Sequence, residues 1–64
     1  MNKKQWKAVY DYCNDNGYDK PNDLLFELKA FGIVERDATL DDLARYPKDG
    51  SYDSMIEWLD EVLL

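Results

Sequence analysis

A chain of 64 residues with 14 Asp and Glu against 8 Lys and Arg carries a formal net charge of −6 and contains no His. At this length only about 60% of the unfolded surface can be buried, so one small domain is expected, and an acidic excess of this size repels nucleic acid and anionic membrane. Without His there is no side chain of unperturbed pKa near neutrality, and the lone Cys13 offers neither an internal disulfide nor a zinc site.

In chain order, MNKKQWKAV lacks the apolar core of a signal peptide, and no run is long enough to span a bilayer, so a cytoplasmic location is expected. Trp6, Val9, Tyr10 and Cys13 follow the i, i+3, i+4, i+7 pattern of a buried helix face, with Tyr12 on its flank. Gly17 supplies a left-handed cap at the end of that helix. A second helix begins around Lys20–Asn22, where Pro21 suits the first turn. It runs through Leu24, Leu25, Leu28 and Phe31 to a second glycine cap at Gly32. Tyr18 and Ile33 follow the two glycines, and a Schellman cap places them against Cys13 and Leu28. GIVE, at 32–35, could be a short extended piece, but nothing pairs with it.

TLDDLARYP reads as a short third helix with Thr39 as N-cap, Asp41 and Asp42 at the positive end of the dipole, and Pro47 just past the end. KDGS is a turn, and the last helix runs from about Ser51 to Leu63. The fold class is therefore all-α, a compact small bundle of three main helices plus one short helix, in a single helical domain over 1–64. Nine aromatics, among them Trp6, Phe26, Tyr46 and Trp58, compensate for the small core by contributing a large apolar area per residue.

Charge is segregated along the chain. Lys3, Lys4 and Lys7 open it without an acid, Asp11, Asp15, Asp19, Asp23 and Glu27 follow at strict four-residue spacing, and Asp49, Asp53, Glu57, Asp60 and Glu61 close it without a base. In the last helix Met55, Ile56, Leu59, Val62 and Leu63 form one wide apolar stripe, and the acids fall opposite. Amphipathicity explains where these acids sit and leaves open why every one is an acid. Asp53/Glu57 and Glu57/Glu61 are like-charge i, i+4 pairs, each costing roughly 0.2–0.5 kcal/mol, and Asp60 and Glu61 lie near the negative end of the helix dipole. Two readings follow: the lysines of the first helix lie alongside and neutralise the last, or the acidic face is a surface to be bound. Trp58, between the apolar stripe and the acids, is either the edge of the core or an interface anchor.

Other motifs are weaker. DSMIE, at 53–57, resembles the modification site of acyl carrier proteins, which implies a phosphopantetheine arm on Ser54; the same residues have the Ser-to-Glu spacing of a capping box, and Ser51 serves equally as a cap. NDNGYDKPND, at 14–23, has the flavour of a calcium loop, but with Gly17 at the invariant glycine the first ligand position falls on Tyr12. Cys13 reads as core packing, and no Gly-rich phosphate loop is present. Neither enzyme chemistry, a metal nor a cofactor is expected.

The expected function is a non-enzymatic protein-binding module: an acidic inhibitor covering the basic nucleic-acid-binding site of a partner protein, with no direct nucleic-acid or membrane binding. The contact is placed on Asp53, Glu57, Asp60 and Glu61, with Trp58 as anchor and Asp49 and Tyr52 at the rim. In size and charge the chain resembles the anti-restriction and anti-CRISPR products of phages and mobile elements. The alternatives are a generic interaction or scaffold protein whose acidic face serves solubility, and a carrier-like protein modified at Ser54.

Overall fold

Four helices and no strand make up the protein in a computed structural model that describes residues 1–64. They are α1 (Lys3–Asn16), α2 (Pro21–Ala30), a short 3-10 helix (Leu40–Arg45) and α3 (Tyr52–Leu63). This is the all-α bundle of three main helices and one short one that the sequence pattern implies. The Cα radius of gyration is 10.4 Å, against about 10.7 Å expected for a well-packed chain of this length. α1 packs against both α2 and α3, and α2 against the 3-10 helix. No helix is long and apolar enough to cross a membrane.

Each helix start is fixed by a local device. At α1, Asn2 Oδ1 accepts from the Gln5 N–H at 2.7 Å and the Asn2 N–H donates to Gln5 Oε1 at 3.1 Å, a reciprocal capping box. At α2, Pro21 occupies the first helical position, where its missing N–H costs nothing. Ahead of the 3-10 helix, the Thr39 N–H donates to Asp42 at 2.7 Å, and this bond, with Arg45 nearby, holds the Asp42 carboxyl below its usual range. At α3, Ser51 Oγ accepts from the Ser54 N–H at 3.1 Å, so the cap is Ser51 and Ser54 sits inside the first turn.

Helix ends depend on two glycines. Gly17 and Gly32 have φ of 80° and 72°, a region where a Cβ is strained. The Tyr18 N–H reaches the Cys13 carbonyl and the Ile33 N–H the Leu28 carbonyl, both at 2.9 Å, the long-range bond of a Schellman cap. Residues 32–35 form a turn and not a strand. Past Gly32 the chain folds back far enough to bury Val34 and pack Ile33 on the core.

That reversal corrects one expectation. Phe31, through which the second helix was expected to run, caps that helix at its end and is 61% exposed. Ile33 and Val34, carried inward past the glycine, pack on the core. In α1 the buried face is Gln5, Ala8, Val9, Tyr12 and Cys13. It has the expected period in a register shifted by one from that set by Trp6, so Tyr12 is core and Tyr10 is 57% exposed. The shift is possible because Gln5, a polar residue in an apolar stripe, spends its carboxamide on the helix cap. Burial, with Asp23 beside it, raises the Cys13 thiol to about 11, which leaves it protonated at neutral pH and suits packing over chemistry.

The turn before α3 ties the ends together. Asn2 Nδ2 donates to the Gly50 carbonyl at 2.8 Å, and a Cβ on Gly50 would come within 2.8 Å of that nitrogen. Asp49 accepts from the Ser51 N–H at 2.9 Å, and hydrogen bonds from Ser51 and Ser54 draw its carboxyl down to about 2. Ser51→Ala is expected to lower stability by about 1 kcal/mol in urea unfolding at neutral pH. Because the folded-state pKa of Asp49 lies below its ordinary 3.8, the unfolded chain binds the proton first. The contribution of Asp49 is therefore complete above the ordinary value and is lost as pH falls toward about 2. Asp49→Asn should flatten this part of the acid-unfolding profile.

Candidate functional site

Helix α3 presents its charge on one side. At about 100° per residue, Asp53, Glu57, Asp60 and Glu61 fall within an arc of about 100°; all four are exposed, while Met55 and Leu59 on the other side are fully buried. Ile56, Val62 and Leu63 complete the apolar stripe as partly buried residues packed against the core.

The terminal helices are neighbours, as neutralisation would require, but the lysines do not pair with α3. The three ion pairs of the structure join the Met1 amino group to Asp41, Lys7 to Asp11, and Arg45 to Asp42. Lys7 is thus spent within α1, at 3.0 Å from Asp11, while Lys3 and Lys4 make no ion pair. Among the four acids, Asp53 alone shares a cleft with the lysines of α1: Lys4, Lys7, Asp11, Ser51, Tyr52 and Asp53 line a space of about 480 Å³ between α1 and α3. Glu57, Asp60 and Glu61 do not line that cleft.

The other candidates divide between two sides of this face. Tyr52 points to α1, where its hydroxyl donates to Asp11 Oδ2 at 2.7 Å and Lys7 Nζ lies 5.8 Å from its ring centre. That hydrogen bond, then the Lys7 pair, lowers the Asp11 carboxyl, and the same bond raises the Tyr52 hydroxyl. Asp49 is exposed but already engaged by Ser51 and Ser54 in the turn. Tyr52 and Asp49 therefore hold α3 in place, and their polar groups are occupied.

Trp58 lies on the opposite flank. Partly buried, it stacks on Tyr46 with ring centres 5.0 Å apart and planes 19° from parallel. The pair opens on a cleft of about 470 Å³ that is also lined by Lys48, Ser54, Glu57 and Glu61. Trp58 is thus both the edge of the core and part of the surface beside the acids. Tyr46 and Lys48 were not among the residues picked out from sequence. They lie in the segment leaving the 3-10 helix, and no spacing relates them to Trp58; an aromatic on each side of a turn was the one available hint.

The remaining motifs resolve into structure. Ser54 is buried at 7% exposure inside the first turn of α3. The four-residue acidic series from Asp11 to Glu27 is broken by Gly17 and by the new helix at Pro21, so it forms no continuous row. No three His, Cys, Asp or Glu side chains come together as a metal site would need.

No protein-family model, curated protein or solved structure matches this chain.

Since the acids of α3 repel one another and none of them is in an ion pair, replacing one should help the fold. Glu61→Lys removes the Glu57/Glu61 repulsion and places a cation at the negative end of the helix. It is expected to raise stability by about 0.5 kcal/mol at low salt, and by less at high salt. Urea unfolding at two ionic strengths measures both the sign and the screening.

Proposed function

We propose that this chain is a non-enzymatic, cytoplasmic protein-binding module whose last helix covers the basic nucleic-acid-binding site of a partner protein. The observation that carries the reading is the absence of any ion pair at Asp53, Glu57, Asp60 and Glu61, although lysines sit on the adjoining helix. A carboxylate face left open beside available cations is suited to attract a basic surface and set its orientation.

Spacing supports mimicry of a phosphate strand. From Asp53 to Glu61 the axial rise is about 12 Å, and four carboxylates over that length fall about 4 Å apart on average. One DNA strand carries a phosphate about every 3.4 Å of axis. The successive axial gaps are about 6, 4.5 and 1.5 Å, so the arc matches the phosphate repeat in mean charge density and not in even spacing. On this reading the protein is an inhibitor of the anti-restriction or anti-CRISPR type, acting by occupation of a groove that would otherwise hold DNA or RNA.

The test compares wild type with Glu57→Lys/Glu61→Lys. Wild type is expected to capture a basic nucleic-acid-binding protein, to displace its DNA or RNA, and to weaken at least about tenfold between roughly 50 and 300 mM salt. The charge-reversed variant should lose the partner while keeping wild-type helicity and unfolding midpoint or better. A folded variant that captures and inhibits the same partner equally well would sink the proposal.

A further inference from the structure

We propose that the cleft beside Trp58 is an arginine receptor, taking one arginine side chain of the basic partner against the Trp58–Tyr46 pair and between the carboxylates of Glu57 and Glu61. The inference rests on the partner-binding reading of α3 and specifies what the partner presents there.

Three features converge on that ligand. The aromatic pair is held by its own stacking, with ring centres 5.0 Å apart, so a flat π surface is already in place before anything binds. Glu57 and Glu61 stand one helical turn apart, about 6 Å along the axis, on the wall of the same cleft, and neither is in an ion pair. The space of about 470 Å³ is open to solvent along one side and has room for a guanidinium and part of its stem.

The lining selects among cations. A guanidinium is planar, stacks on aromatic faces, sheds water more readily than an ammonium, and offers donors in its plane to two acceptors at once. An ammonium can satisfy the carboxylates but gains less from the rings. Anionic ligands are repelled, because two carboxylates oppose the single cation of the cleft, Lys48. Lys48 is also a competitor for the same acids, so its charge weakens the receptor and its removal should strengthen it.

The experiment titrates hexa-arginine and hexa-lysine peptides of equal charge into the protein carrying Trp6→Phe, so that tryptophan emission reports Trp58 alone. Hexa-arginine is expected to bind about two- to fivefold tighter than hexa-lysine and to change Trp58 emission. Lys48→Gln should tighten hexa-arginine by about a further twofold, and Trp58→Leu should make the two peptides equivalent. Amide spectra of the wild type avoid dependence on the folding of that last variant: hexa-arginine should shift the Trp58 indole N–H and the signals of Tyr46, Glu57 and Glu61. Equal affinities with an unchanged Trp58 signal, but with binding still lost to salt and to Glu57→Lys/Glu61→Lys, would overturn the receptor and leave the acidic-face reading standing. If neither peptide binds, both readings fall.

Discussion

Helix α3 fully buries only Met55 and Leu59, too little to fix a helix of this length by itself, so its position depends on the helix it lies against. α1, whose buried face includes the fully buried Ala8 and Val9, packs against it. Polar ties reinforce that packing at separated points: Asn2 on the Gly50 carbonyl before α3 begins, and Tyr52 on Asp11 within the first turn. They join residues 48 and 41 positions apart in the chain, and so each closes a long loop whose entropy the local helices cannot offset. With α1 and α3 locked, α2 and the 3-10 helix complete the core through Leu24, Leu28 and Leu43, all fully buried.

The same pairing decides what the lysines can do. Lys7 is drawn to Asp11, four residues on, and lies near the Tyr52 ring. Its charge therefore supports the junction of the two helices and does not reach across to the far acids. Tyr52 in turn takes up Asp11, so a cation, an aromatic ring and a carboxylate satisfy one another at the seam. The consequence is a division of labour among acids that look alike in sequence. Asp11, Asp42 and Asp49 are bound up in hydrogen bonds that lower their carboxyls. Those on the outer side of α3 are free.

Much of this architecture was legible because it is written in local chemistry. Pro21, Gly17, Gly32, Thr39 and Ser51 act within a few residues of themselves, and each stands at the boundary it marks. The period of α1 was legible but its register was not, since Trp6 looks a better core residue than Gln5. Only the capping bond to Asn2 makes Gln5 acceptable inside. At the end of α2 the apolar pattern does not say which of Phe31, Ile33 and Val34 reaches the core; backbone reversal at Gly32 decides it. The acidic arc of α3 follows from helical geometry alone. What adjoins it does not, because Tyr46 and Lys48 reach Trp58 through a tertiary turn that no periodicity encodes.

The energetics of that arc bear on what it is for. Two repulsive i, i+4 pairs and acids at the negative helix end together cost on the order of 1 kcal/mol. At about 0.05–0.15 kcal/mol per residue, a domain of this size has roughly 3–10 kcal/mol of stability in total. A face maintained only for solubility could mix lysine with glutamate, gain attractive pairs in place of repulsive ones, and stay as well hydrated. Uniform charge that weakens a marginal fold is what the proposed partner-binding role would require of this surface. The buried side of α3 is set by the core, so the exposed side is where such a requirement can be met without disturbing Met55 or Leu59. Trp58 marks the boundary between the two demands, anchored on Tyr46 and open on the side of the acids.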